Sequence, residues 1–474
     1  MGVTSMVFFV VAASAPLSVV VALGPLTYGL GNPGVPILFL VAAVILLLFS
    51  VGYAAMSRFI SGPGGFAVYA SRAFGPSFGG ATAAVATVSY YGVLGAIYGL
   101  FGALAQPVFA DMAGLDLDWW VWALLAAVVV GFLGYRSVDV SAKVLGVVLV
   151  VEILLVLILD IAILIDGGSH GINFDGFNPS HITGSGANIV LLLAFASWLG
   201  FEATTLYGEE AKDRHVTVPR ATYGAVILIG VFYVFTFWAI GIANGDDTAQ
   251  VALDSPTTMV FDLGRQYLGS FASDVMQWLV LASVFACLLA FHNSLSRYMF
   301  ALGRNGLMPS AMGRSHKRHQ APSNASLLIS SFAVVVIAFF ALIGKDPYLN
   351  LYAWFIGVGT IGALCLYLIA SASVIRYLWM LGTDRRLWQA LIAPILALLG
   401  LGMALYLALD QFDLLTASTN TVVNLLWLLP PLAAVIGFIV AHRWFRDKPA
   451  DAFEQGLAAD LDVPLSTEAT LPDA

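Results

Sequence analysis

Apolar runs of membrane-spanning length, separated by short loops that alternate between basic and nearly uncharged, constrain this chain more than any other feature. A hydrocarbon layer about 30 Å thick needs roughly 20 apolar residues per helical span. Windows of that kind recur at 3–29, 35–57, 78–109, 119–135, 143–165, 188–208, 222–243, 271–302, 325–343, 349–377, 387–409 and 422–444, about twelve in all. All should be helices, because backbone polar groups in lipid are satisfied only within a helix or a closed barrel, and these runs are too long and too apolar for barrel strands. The expected class is therefore an all-α integral membrane protein.

The loops carry the orientation. Of the 20 lysines and arginines, all but Arg265 and Lys345 follow even-numbered spans. Arg58 and Arg72 follow span two, Arg136 and Lys143 span four, and Lys212, Arg214 and Arg220 span six. Arg297, Arg304 and Arg314 with Lys317 and Arg318 follow span eight, Arg376, Arg385 and Arg386 span ten, and Arg443, Arg446 and Lys448 span twelve. Cytoplasmic loops carry the Lys/Arg excess, so both termini are expected inside a cytoplasmic, inner-type membrane. No basic residue precedes Arg58, so the positive start of a cleaved signal peptide is not expected.

Composition excludes other classes. The chain is 60% hydrophobic and 10% charged, against about 25% charged in a soluble domain. No basic run is dense enough for nucleic acid. Cys287 and Cys365 both fall inside expected spans and read as small core residues rather than a disulfide or metal framework. No metal-ligand cluster and no nucleophile–base constellation is evident, so neither a cofactor nor an enzyme activity is expected. Residues 1–445 form the expected membrane domain; residues 446–474, with Asp451, Glu454, Asp460, Asp462, Glu468 and Asp473, read as a solvated cytoplasmic acidic tail.

Two spans are interrupted. Span one contains Ser14-Ala15-Pro16 and, later, Pro25; proline removes a backbone donor and clashes with the preceding turn. Span six contains Phe195-Ala196-Ser197-Trp198-Leu199-Gly200, followed by Glu202. Interruptions at corresponding positions of two halves point to a transporter site built from broken helices. The plain alternative is a pair of ordinary kinked helices, since Pro and Gly are common in membrane spans.

Three blocks resemble the amino acid–polyamine–organocation transporters: SGPGGFAVYASRAFGP at 61–76, FASWLGFEATTLYGEEAKDRHVTVPRA at 195–221 and FHNSLSRYMFALGRNGLMP at 291–309. The likeness extends from Val11 to about Trp444. It implies a leucine-transporter-type fold: a 5+5 inverted repeat (1–166 and 185–378) with two C-terminal helices appended at 387–445. It also implies a permease working by alternating access, with substrate held at mid-membrane between the breaks in spans one and six. Two departures stand out. The family's first break is usually glycine-rich, where this chain has Ser14-Ala15-Pro16. Many proton-driven members carry a lysine midway along span five, where this chain has Glu152.

The chemistry follows from the broken ends. An interrupted helix leaves unpaired N–H groups on one half and unpaired C=O groups on the other. The first suits a carboxylate, the second an ammonium, so two such helices can hold an amino acid without a charged side chain. Ser14, Ala15 and Pro16 are assigned to one end and Phe195, Ala196, Ser197, Trp198 and Gly200 to the other, with Trp198 a candidate thin gate and Tyr90 a candidate wall. A mid-span carboxylate costs at least about 2.5–3.5 kcal/mol, so Glu152 and Glu202 are candidates for proton coupling or gating, as is His292; structural hydrogen bonding is the alternative for each. Glu209 and Glu210 with Arg297 and Arg304 are candidates for a cytoplasmic gate, or else a solvated loop. The expected partners are lipid, a small amino acid or amine, and a proton. A polyamine carrier with Glu152 and Glu202 on the substrate nitrogen, and a sensor without flux, remain open beside the amino acid permease.

Overall fold

The computed structural model describes residues 2–60, 65–136, 142–201, 213–316, 322–380, 382, 386–416, 418, 420–449 and 452–453. Its helices are α1 Val3–Ser14, α2 Pro16–Tyr28, α3 Val35–Met56, α4 Gly65–Phe74, α5 Pro76–Ala113, α6 Trp119–Tyr135, α7 Ala142–Asp166 and α8 Ala187–Ala196. They continue with α9 Arg214–Asn244, α10 Thr248–Asp254, α11 Met259–Leu268, α12 Ser270–Asn305, α13 Ser323–Leu342, α14 Ala353–Val374, α15 Ala393–Asp410 and α16 Leu429–Phe445. Among the described residues no strand occurs, and nine helical stretches are long and apolar enough to cross a bilayer. Three shorter apolar helices, α2, α6 and α8, accompany them.

Burial sorts the helices into a centre and a periphery. In α5 and in Pro347–Met380, 72% of the spanning window is buried inside the bundle, against 6% in Thr421–Phe445. The peripheral surfaces are nonetheless apolar, with Val44, Leu125, Val128, Phe132, Ile158, Val335, Leu399 and Ile436 exposed. In water such a surface would be a liability; facing acyl chains it is the expected solution. The two central helices cross closely because their contact is made of small residues: a Cβ on Gly92 would lie 2.8 Å from the Gly359 amide nitrogen. Ser89 donates to the Gly359 carbonyl at 2.6 Å at the same crossing. Small residues are what let helix backbones approach in a membrane.

The C-terminal segment differs from the expected free tail. Phe453 is fully buried and packs on Phe445 with ring centroids 5.6 Å apart, and its carbonyl accepts the Asn305 side-chain amide at 3.0 Å. One aromatic among acidic neighbours is enough to dock the start of the tail beneath α12. The remainder, from 454 onward, lies outside the described residues.

Candidate functional site: a cavity between two helix breaks

The first break sits at Ala15. Pro16 supplies no N–H and disfavours the helical region for the residue before it. Ala15 responds by adopting φ 44°, ψ 67°, the one left-handed non-glycine among the described residues. That conformation costs roughly 1–2 kcal/mol for an L-residue, so the surrounding packing must hold it. α1 ends at Ser14, whose hydroxyl folds back to the Val10 carbonyl at 3.2 Å. α2 restarts at Pro16, and its first backbone bond runs from the Val19 amide to the Ala15 carbonyl at 3.1 Å. The amides of Leu17 and Ser18 therefore open a helix without acceptors in their own turn. The Ser18 hydroxyl is buried with no hydrogen-bond partner.

The second break follows α8. The Ser197 amide donates to the carbonyls of Leu193 and Ala194, and the Trp198, Leu199 and Phe201 amides each reach only three residues back, so the helix tightens and ends. Gly200 completes the turn at φ 106°, a region that favours glycine. The chain after Phe201 lies outside the described residues up to Asp213.

Between the breaks lies a cavity of about 70 Å3. Ser14, Ala15, Ser18, Val19, Ala22 and Leu23 line it from the first break, and Ala196 and Leu199 from the second. Val93, Ile97 and Leu100 of α5 close one side; Val284, Cys287 and Phe291 of α12, with Tyr352 and Ile356, close the rest. None of these lining residues is charged. The lining residues with polar side chains are Ser14, Ser18, Cys287 and Tyr352, and the Ser18 hydroxyl among them has no partner.

The structure brings some sequence candidates to the cavity and not others. Ser14, Ala15 and Ala196 line it. Pro16, Phe195 and Ser197 set the backbone breaks without lining it. Trp198 is fully buried on the far side, its indole N–H donating to Val226 at 3.4 Å and its ring packed against Phe39 and Tyr233. Tyr90 stands one residue removed, edge-on to the cavity-lining Phe291 at 6.3 Å. His292 points the other way: its Nε2 lies 2.8 Å from the Ser326 hydroxyl on α13, and its ring fills the space left by Gly134 on α6. Arg297 and Arg304 are exposed, Arg304 lying over the Phe300 ring at 5.7 Å. Glu202, Glu209 and Glu210 lie outside the described residues.

Glu152 sits one layer behind the cavity wall. It is fully buried on α7, accepts a hydrogen bond from the Ser283 hydroxyl at 3.1 Å, and leaves Oε1 without a partner. Ser283 is one helical turn from Cys287, which faces the cavity. A second buried acid was not among the sequence candidates. Asp160, two turns further along α7, accepts from Thr236 of α9 at 2.7 Å and also leaves one oxygen unpartnered. Its signal was present in the run LVLILDIAILID, an acid enclosed by aliphatics. Among the described residues no group of three His, Cys, Asp or Glu is arranged to hold a metal, and both cysteines are free thiols.

The family model "Amino acid permease" matches residues 5–452. The branched-chain amino acid permease BcaP of Lactococcus lactis is 26% identical over 65% of this chain and 69% of its own length. The low-affinity putrescine importer PlaP of Escherichia coli is 21% identical over 87% of this chain and 86% of its own. The histidine permease HisP of Lactococcus lactis is 25% identical over 72% of this chain and 71% of its own. With a family model spanning nearly its whole length and broken helices facing each other across a central cavity, this multi-pass membrane protein belongs to the amino acid permease family.

Proposed function

We propose that the chain carries a small neutral amino acid with an aliphatic side chain across the membrane, holding it between the two breaks. The cavity carries this reading: its lining is mostly aliphatic and aromatic, uncharged, and polar only at Ser14, Ser18, Cys287 and Tyr352. The carboxylate would lie at the start of α2, against the amides of Leu17 and Ser18 and the Ser18 hydroxyl, where the helix dipole favours an anion. The ammonium would face the carbonyl ends of α8 and α1. The side chain would fill the aliphatic remainder beside Val93, Ile97 and Ile356.

In this reading the three short apolar helices complete a set of about twelve spans, arranged as two inverted repeats of five with two appended. Both termini lie on the side of the basic loops. Alternating access is a hinge at Ala15, with α1 swinging against a stationary α2. Glu152 couples the swing to a proton, since α7 packs against both halves of span one and its buried carboxyl has a free oxygen. A charged diamine is disfavoured by the uncharged lining, although one putrescine importer is among the relatives.

The test is uptake into liposomes of the purified protein, offered leucine, alanine, histidine, lysine, γ-aminobutyrate and putrescine with and without a pH gradient. Leucine or alanine should accumulate, faster with the gradient acidic outside, and Ser18→Ala should raise KM by about tenfold, the loss of one hydrogen bond to a charged group. Uptake of putrescine without any neutral amino acid would overturn the substrate assignment.

A further inference from the structure

A second, larger cavity of about 780 Å3 opens at the end of the bundle opposite the basic loops, and Tyr348 stands in its floor. Its partner Tyr352, stacked on it at 5.6 Å and 7°, belongs to the wall of the central cavity. The two rings thus stand between the two spaces. We propose that the Tyr348–Tyr352 pair is the outer gate of the permease, and that the Tyr348 hydroxyl is its latch.

The latch is a single hydroxyl. Tyr348 Oη donates to the Ala22 carbonyl at 2.5 Å, and Ala22 itself lines the central cavity. The Leu26 amide lies beside the same hydroxyl. Pro25 offers no amide to the preceding turn, which loosens the α2 ladder where the hydroxyl enters; an inserted side chain at such a point bends a helix.

The carrier of the rings is built to pivot. Pro347–Tyr352 is a π-helical turn, a geometry frequent at functional sites, whose backbone bonds reach one residue further than those of an α-helix. Its base is fixed: the Asp346 carboxylate accepts the amides of Tyr348 at 2.8 Å and Leu349 at 2.6 Å. Its flank lies flush on α5, where a Cβ on Gly99 would come within 2.7 Å of the Pro347 carbonyl. A fixed base, a loosened turn and a hold through one hydroxyl let the rings part without disturbing the central helices.

This gate rests on the central cavity being the substrate site, and Cys287 in that cavity reads both. In a Cys365→Ser background Cys287 is the sole thiol. Right-side-out vesicles are treated with a membrane-impermeant cationic methanethiosulfonate, with and without leucine. Tyr348→Phe, which removes the hydroxyl and keeps the ring, should speed Cys287 labelling from outside by about 2- to 12-fold, the population shift available from one hydrogen bond. Tyr348→Ala should speed it further, and labelling in inside-out vesicles should not rise in either variant. Equal outside rates in the parent and Tyr348→Phe, with leucine still protecting Cys287, would overturn the gate and leave the cavity reading standing. Absence of protection by every amino acid that the parent transports would overturn the cavity reading and the gate with it.

Discussion

The two halves of span one are cut from similar sequence and held in different ways. α2 is nearly all buried and is tied by two tyrosine hydroxyls, Tyr348 onto its Ala22 carbonyl and its own Tyr28 onto the Phe237 carbonyl of α9 at 2.5 Å. α1 has no such tie among the described residues; its one side-chain bond, from Ser14, stays within the helix. Its far end meets α9 through a separate small cluster of Met6, Val218 and Ala221, with Val7 alongside. A buried hydroxyl that loses its partner pays the full desolvation cost, whereas apolar contacts such as those of α1, which Val10 and Val11 extend into the main core, can slide. On the proposed hinge, this difference would make α2 the stationary half and α1 the movable one.

The comparison breaks most visibly at the hinge. Ala15→Val puts a β-branched residue at a left-handed position, and it should reduce uptake more than tenfold, while Ala15→Gly should keep it. Equal activity of the two variants would show that the left-handed break is incidental. Next comes the coupling between the halves and α7. Uptake by the parent should rise as external pH falls, and Glu152→Gln should flatten that dependence while retaining the Ser283 bond; an unchanged pH profile would remove Glu152 from the cycle. Smaller, and opposite in kind, are Tyr28→Phe and Met6→Ala. Tyr28→Phe should lower thermal stability by about 0.5–1.5 kcal/mol, seen as a lower melting midpoint. Met6→Ala should speed labelling of Cys287 from the side of the basic loops, by about threefold if roughly 0.6 kcal/mol of the α1 contact is lost. Least of all, Trp198→Phe and His292→Asn should each change KM less than about twofold, because neither side chain reaches the cavity.

What the sequence revealed and what it hid follow one physical line. The breaks were legible because Pro16 and Gly200 act on their own backbone: one forbids a hydrogen bond, the other permits a conformation. The apolar runs were legible for a similar reason, since each residue's cost or gain in the membrane depends on that residue alone. The direction of a side chain around its helix was not. His292 and Cys287 are five residues apart on α12, yet one meets α13 and the other the cavity. Tyr348 and Ala22, like Asp160 and Thr236, meet across long sequence separations, and no local spacing announces them. Trp198 illustrates the same limit: its position beside the break suggested a gate, and its χ angles direct it instead between Phe39 and Tyr233.

The central claim is that substrate sits between the opening turn of α2 and the end of α8. A structure of the protein determined with its transported amino acid bound tests it most directly. The expected result is density in the central cavity, carboxylate against Ser18 and ammonium against the carbonyls ending α8 and α1. Density confined to the outer vestibule beside Asp116, Lys345 and Asp346, with the central space empty, would contradict it.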